Sequence, residues 1–311
     1  MKLRLLYIGI ALLILFPFSA QAFSVAPGIV EISSDRGQTI ETSISLINIA
    51  DTAITVYLSK QKFEPNESSG APKFIPYDDN HSGLVDWLQF PADRITVEAR
   101  TKVDVPVSIV VPNDIPSGGY YGAAVFSEAP HEIVATNGAS INAKTAVLLL
   151  LTVNGETDAK IALLDFTSPQ AGSLVSLPSG EFTYRLQNQG NVHVQPQGTI
   201  ILKDILGRIV SVANPNPAEG RVLPNSTRTY TGQFGPEENG GFVQTVKTQW
   251  QNFALGPVKA VLDLSYGSNQ QVLTSELSFW VLPWQLLITI LVIVLILGLA
   301  LKGLKRNIQK A

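Results

Sequence analysis

"VPNDIPSGGYYGAAVF", residues 111–126, indicates the fold more clearly than any other part of the chain. Prolines and glycines interrupt a run of β-branched, small and aromatic residues, and two tyrosines follow the glycines directly. The pattern predicts a β-sandwich corner, in which one strand ends at Val111 and the next begins at Tyr120. A tyrosine hydroxyl at such a corner bonds to the backbone upstream. Because side chains alternate along a strand, Tyr120 and Tyr121 face opposite ways, so one makes the corner and the other faces outward or lies at a rim.

Short β-like runs separated by turn residues extend on both sides of this corner. They predict an all-β fold of two tandem immunoglobulin-like β-sandwiches, a distal one over 23–153 and a membrane-proximal one over 158–280. "NGETD" (154–158) separates the two domains. The predicted strands of the first domain are Val25–Ile32, Thr39–Ile49, Ala53–Phe63, Leu84–Phe90, Arg94–Glu98, Val103–Val111, Tyr120–Ser127 and Ala143–Val153. Those of the second are Lys160–Thr167, Glu181–Asn188, Gly198–Leu206, Thr227–Phe234, Val243–Gln251, Val258–Tyr266 and Gln271–Val281.

The first 22 residues resemble an export signal. Lys2 and Arg4 form a positive region, Leu5–Phe16 is apolar, and Ala20-Gln21-Ala22 has the small-x-small cleavage pattern. We expect cleavage before Phe23, the alternative being an uncleaved N-terminal anchor.

Residues 281–301 carry no charge and are long enough for a transmembrane helix. Trp280 and Trp284 lie at its outer edge, where indole rings prefer the headgroup layer. The tail, 302–311, holds four basic residues and no acid, which predicts that it is cytoplasmic. We therefore expect a single-pass type I protein of the plasma (inner) membrane, with the bulk of the chain outside the cytoplasm.

Charge and cysteine content limit the classes of function. The signal holds two basic residues and the tail four, so 16 basic residues remain against 25 acidic between them, a net charge of −9. An acidic exported region argues against nucleic acid or anionic lipid as its partner. The chain has no cysteine, which excludes disulfides, thiolate metal sites and cysteine nucleophiles.

No motif of a known catalytic class is present. The three histidines lie outside any G-x-S-x-G context, and Ala135 stands where a zincin beginning at His131-Glu132 needs its second histidine. "GGYYG" (118–122) lacks the spacing and the following helix of a phosphate loop. We expect a protein that is not an enzyme and has no cofactor.

"DDNHSG" (78–83) is a weak candidate for a calcium loop. Asp78, Asn80 and Ser82 place oxygen ligands at alternate positions, and Gly83 follows at the turn. Gln89 stands where a calcium loop has a bidentate glutamate, so an Asx-rich turn that binds no metal is the alternative.

Taken together, these segments resemble the WxL-interacting protein family of bacterial surfaces. The resemblance rests on the corner at 111–126, on "VAPGIVEISSDRGQTIETSISLINIADTAITVYL" (25–58), on "WLQFPADRITVEARTKVDVPVSI" (87–109) and on the layout of two domains, one span and a basic tail. It implies a peptidoglycan-binding first domain and a second domain that binds a surface partner. The first strands also resemble those of pilus-chaperone N-domains, but those proteins are soluble and carry no membrane span.

Two functional hypotheses follow. The first is a membrane-anchored adaptor whose distal domain binds cell-wall glycan or a surface protein through Tyr120, Tyr121 and Trp87, with the loop 64–83 as a neighbour. The second is a structural or assembly scaffold that contacts other proteins through edge strands without binding glycan. A groove lined by aromatic side chains favours the first, and an exposed, uncharged edge strand favours the second.

Overall fold

The computed structural model describes residues 23–66, 70–75, 83–129, 144–237, 240–267 and 269–308. The export signal and the candidate calcium ligands Asp78, Asn80 and Ser82 lie outside these residues. The chain folds into two compact units, Met1–Phe63 with Phe74–Asn154, and Glu64–Lys73 with Gly155–Ala311. Each unit contains an immunoglobulin-like β-sandwich, which confirms the predicted fold class.

The first sandwich packs two sheets, ordered β1-β3-β9-β7 and β2-β11-β10-β4-β8, while β5 and β6 pair with each other. The elements up to Val153 are β1 (Phe23–Ala26), β2 (Ile29–Ser34), β3 (Thr39–Asn48), β4 (Ile54–Gln61), β5 (Phe63–Pro65), β6 (Pro72–Phe74), α1 (Leu84–Trp87), β7 (Leu88–Gln89), β8 (Arg94–Val97), β9 (Lys102–Val110), β10 (Gly118–Ser127) and β11 (Lys144–Val153). Most residues of β5 and β6 belong to the second unit. Alternate residues of the two sheets form one buried core around Ile44, Ile109, Phe126 and Leu149.

Two sequence predictions for this sandwich are wrong in detail. The strand predicted over Val25–Ile32 is two strands, because the chain turns at Pro27-Gly28 and changes sheet. β1 runs antiparallel to β3, whereas β2 runs parallel to β11. The strand predicted over Leu84–Phe90 is a single helical turn, α1, followed by the two-residue β7. Leu84 and Val85 are adjacent and both buried in this turn, whereas adjacent residues of a strand face opposite sides.

The second sandwich also packs two sheets, ordered β12-β14-β17 and β13-β19-β18-β15-β16. Its strands are β12 (Ile161–Thr167), β13 (Leu174–Val175), β14 (Gly180–Asn188), β15 (Gln197–Lys203), β16 (Ile209–Ala213), β17 (Thr227–Phe234), β18 (Gly256–Tyr266) and β19 (Gln271–Val281). Five aromatic rings of its core stack in sequence: Tyr230, Tyr184, Phe182, Phe234 and Phe279.

In both sandwiches a strand ends in the pattern Leu-x-Asn, and the asparagine is buried. Asn48 ends β3 in "LIN" and Asn188 ends β14 in "LQN", and each side chain is 1% exposed. The Asn188 amide donates to Val192 O (2.7 Å) and Val222 O (2.8 Å), and its oxygen accepts from Gly190 N–H (2.9 Å). Asn48 bonds its own neighbouring loops in the same way. Each asparagine therefore fixes the loops at one end of its sandwich.

The strand predicted over Val243–Gln251 is a helix, α2 (Phe242–Gln251). Its β-branched residues suggest a strand, but contacts with a distant part of the chain favour the helix. The Gln249 side chain is buried, donates to Gln285 Oε1 and accepts from Leu286 N–H (2.8 Å). A helix is the conformation that presents this side chain to residues 285–286.

The last described element is a long apolar helix, α3 (Trp284–Ile308). Its residues Trp284–Gly303 have a mean hydropathy of 2.7, and in the described part of the chain this is the one helix long and apolar enough to cross a membrane. The helix begins three residues later than the predicted span of 281–301, because Val281 is still the last residue of β19. Pro283 lies immediately before it, where a missing N–H is tolerated.

Candidate functional site

The stretch 111–126 forms the predicted corner, and Tyr120 makes it. The Tyr120 hydroxyl donates to Pro116 O (2.9 Å), four residues upstream. Its ring packs against Trp87 with centroids 4.7 Å apart, and both side chains are half-buried against the core of the first sandwich. Burial raises the pKa of the Tyr120 hydroxyl above its usual range. Two of the three candidate binding residues are therefore together, but they contact each other and the core.

Tyr121 lies on the opposite face of β10, as alternation requires. Its ring is 6.4 Å from that of Phe63, which in turn lies 6.3 Å from Phe74. The Tyr121 hydroxyl covers Gly119 so closely that a Cβ there would lie 2.0 Å from it. A side chain at position 119 would therefore displace the Tyr121 hydroxyl, and Tyr121 belongs to a small aromatic cluster separate from Trp87.

No group of three or more His, Asp or Glu side chains that could hold a metal ion occurs among the described residues. His81 and His131 lie outside those residues. The Tyr120, Tyr121 and Trp87 assignments to glycan or partner binding stay predictions.

The second sandwich has a surface of a different kind, the open edge of β17. Within the described residues β17 pairs with β14 and with no strand on its other side. Asn188 N–H donates to Ser226 O (2.9 Å), one position before the pair Thr227–Gln187. Hydrogen-bonded pairs alternate in an antiparallel ladder, so the even-numbered residues of β17 bond to β14. The backbone groups of its odd-numbered residues point outward at the edge; these are Thr227, Thr229, Thr231 and Gln233.

This edge lacks the features that usually block strand pairing. Its eight residues run without a bulge, and Thr229–Phe234 contains no charge and no proline. By contrast, the opposite edge strand of the sheet, β12, has an irregular register between Leu163 and Asp165. The exposed side of β19 carries Glu276, which is paired with Lys259 (2.9 Å). β17 is therefore better suited than β12 or β19 to accept another strand.

Two shallow grooves adjoin the second half of β17. One is lined by residues of β14 and β17, including Glu181, Thr183, Thr231 and Gln233, with Pro169 beside them. The other continues past Phe234 and is lined by Gln170, Ser176, Ser179, Gly235 and Pro236, among others. Both grooves are within reach of side chains from a strand laid along this edge. The sequence "TRTYTGQF" predicts the strand β17 but does not show that this strand lies at the edge of its sheet.

Comparisons with known proteins give similarities of fold at low identity. No protein-family model matches the chain, and no curated protein matches it in sequence. Among solved structures, the class 5 fimbriae chaperone CfaA is 12% identical, with a TM-score of 0.40 over 82% of this chain and 98% of that chain. The SafB chaperone bound to SafA pilin, from Salmonella enterica, is 9% identical, with a TM-score of 0.37 over 85% and 99%.

A third solved structure is the CsuC–CsuE chaperone–tip subunit complex from Csu pili of Acinetobacter baumannii. It is 13% identical, with a TM-score of 0.36 over 67% of this chain and 89% of that chain. At these identities and TM-scores the likeness assigns no function to this chain.

Proposed function

We propose that this chain is a non-enzymatic, membrane-tethered module that binds an extended segment of a partner protein by strand addition to β17. The observation that carries the proposal is the open, uncharged edge over Thr229–Phe234. Outward-pointing N–H and C=O groups at every second residue supply the main-chain hydrogen bonds of such an interaction.

Specificity would come from the side chains beside the edge. A bound strand places alternate side chains on the two faces of the sheet. On one face the groove lined by Glu181, Thr183 and Thr231 receives them. The Glu181 carboxylate favours a partner segment with a basic or hydrogen-bond-donating side chain at that position.

The membrane tether is α3, which is long and apolar enough to span. The basic residues that follow the uncharged stretch of α3, from Lys302 onward, support the proposed orientation, with the tail in the cytoplasm and both sandwiches outside. A tether of this kind confines the module to the membrane surface and raises the effective concentration of a partner held there.

The role of cell-wall glycan in this proposal is secondary. A sugar ring stacks on an exposed aromatic face, whereas the rings of Tyr120 and Trp87 pack on each other and on the core. Glycan binding and membership of the WxL-interacting family stay predictions from the sequence resemblance.

The test compares two substitutions at one edge position in the full-length chain. Thr231→Pro removes an outward N–H that the sheet does not use, so the fold is expected to persist. Thr231→Val keeps that N–H and the β-branched shape. Partner proteins are captured from membranes of the source cell and quantified. We expect Thr231→Val to retain partners as the wild type does, and Thr231→Pro to retain at least about fivefold less, for one lost hydrogen bond of about 1 kcal/mol.

Full retention by Thr231→Pro would contradict docking at β17. Retention of all three proteins on peptidoglycan sacculi, with no co-purifying protein, would replace the proposal with the glycan hypothesis.

A further inference from the structure

The second sandwich exposes large apolar side chains at the end from which α3 emerges. In α2, Val243 is 81% exposed and Trp250 69% exposed, although both are large and apolar. They stand at i and i+7 with Lys247 between them at i+4, so the three lie on one helical face. This face of α2 is open although the opposite face holds the buried Gln249.

α2 is fixed to the first turn of α3. The Gln249 side chain accepts from Leu286 N–H (2.8 Å) and donates to Ser176 O (3.2 Å). The Phe242 ring packs edge-on against Trp284, with centroids 6.5 Å apart. Because Trp284 is the first residue of the apolar span, the open face of α2 is held at the level where that span begins.

A second element brings apolar side chains to the same end. β15 runs antiparallel to β18 and pairs Lys203 with Lys259, while β18 begins at Gly256, opposite Val281. The turn after Lys203 therefore extends toward the end of the sheet that leads into α3. At its tip, Ile205 is 67% exposed and Leu206 77% exposed.

Hydrogen bonds within the turn hold these two side chains at its tip. Asp204 Oδ1 accepts from the backbone N–H groups of Leu206 (3.0 Å) and Arg208 (2.9 Å). Asp204 Oδ2 pairs with the Arg208 guanidinium at 2.6 Å, which neutralises the acid of this turn. Gly207 adopts a φ of 76°, which closes the turn without strain.

We propose that the open face of α2 and the tip of the β15–β16 turn form a membrane-contacting surface that inserts into the interfacial layer of the bilayer that α3 spans. Indole and aliphatic side chains prefer that layer, and Lys247 extends its ammonium group toward the lipid phosphates. The segment from Phe242 to Phe253 contains no acidic residue that would oppose this contact. The surface holds the second sandwich on the bilayer at two points besides α3, and this inference rests on the membrane anchoring proposed above.

The absence of native cysteines allows site-directed spin labelling of the full-length chain. Single cysteines replace Leu206 and Trp250, with Ile205→Cys as a second variant of the turn. The control is Val272→Cys, because Val272 is 67% exposed, apolar and in the same sandwich. It lies nine residues before Val281 on β19, about 30 Å from the α3 end at about 3.3 Å per residue. Val292→Cys, within α3, reports the span itself.

Collision of each label with oxygen, which partitions into lipid, and with a water-soluble nickel chelate is measured in phosphatidylcholine nanodiscs without any partner protein. We expect labels at 205, 206 and 250 to show oxygen-to-nickel ratios several-fold above that at 272. Equal ratios at all four positions would overturn the inference. If Val292→Cys is lipid-exposed in that case, the anchoring survives and only the surface contact fails; if Val292→Cys is water-exposed, the anchoring itself fails.

Discussion

The substitution Tyr120→Phe separates a structural corner from a ligand site at the tyrosine pair. It removes one hydrogen bond, from the hydroxyl to Pro116 O at 2.9 Å, and leaves the ring packed on Trp87. A hydrogen bond of this kind contributes about 0.5–1.5 kcal/mol net, so we expect the free energy of unfolding of the first sandwich to fall by about 1 kcal/mol. Retention on sacculi or by protein partners should not change.

The assay is urea unfolding of residues 23–280 with Trp87 as the sole tryptophan, since the other two of this fragment, Trp250 and Trp280, lie in the second unit and can be replaced by phenylalanine. The fluorescence of Trp87 then reports the corner directly. Tyr57→Phe is the control, because the Tyr57 hydroxyl makes no hydrogen bond among the described residues; its effect is expected within about 0.5 kcal/mol. Unchanged stability of Tyr120→Phe together with lost retention on sacculi would refute the corner reasoning and identify Tyr120 as a binding residue.

Three further predictions concern the second sandwich. Asn188→Ala leaves Val192 O and Gly190 N–H unpaired, whereas Val222 O still accepts from Val194 N–H (3.0 Å), and should lower the free energy of unfolding by about 2–3 kcal/mol in urea titration; a change below about 1 kcal/mol would contradict the role of this side chain. Burial raises the pKa of Tyr184 and Tyr230 above the unfolded value near 10. Because these tyrosines ionise in the unfolded chain first, their contribution to the free energy of unfolding is complete below about pH 10 and declines above it. Urea titrations at increasing alkaline pH should show a shallower decline when both are phenylalanine, and an identical decline would exclude them as its cause. Gly232→Ala places a Cβ 2.6 Å from the Phe182 ring and should destabilise by about 1–3 kcal/mol in the same assay, whereas a neutral effect would show that the ring can move aside.

Local pattern was enough to predict most strands. The bounds of β17 and β19 match the sequence prediction residue for residue, because alternating β-branched and aromatic residues are bounded there by turn residues. The corner at 111–126 was also predictable, since its prolines and glycines leave few other conformations. The alternation of side chains along a strand correctly predicted that Tyr120 and Tyr121 lie on opposite faces of β10.

Long-range contacts account for what the pattern missed. α2 contains the β-branched residues of a strand, and its helical form is fixed by Gln249 and α3, which lie far apart in sequence. The open edge of β17 depends on which strands pair with it, and the sequence of Thr227–Phe234 carries no information on its missing neighbour. The strand predicted over Gly198–Leu206 includes Ile205 and Leu206. In the structure β15 ends at Lys203, and these two residues form an exposed turn. The turn instead follows the hydrogen bonds of Asp204.

Photo-crosslinking at the β17 edge in native membranes tests the proposed function most directly. A benzophenone amino acid replaces Gln233, on the open edge, or Gln189, an exposed glutamine that lies just past the opposite end of the β14–β17 pair. We predict a discrete adduct from position 233 that protease removes and lysozyme leaves intact, with no such adduct from position 189. Equal adducts from both positions, or an adduct from 233 that lysozyme alone removes, would contradict protein binding by strand addition at β17.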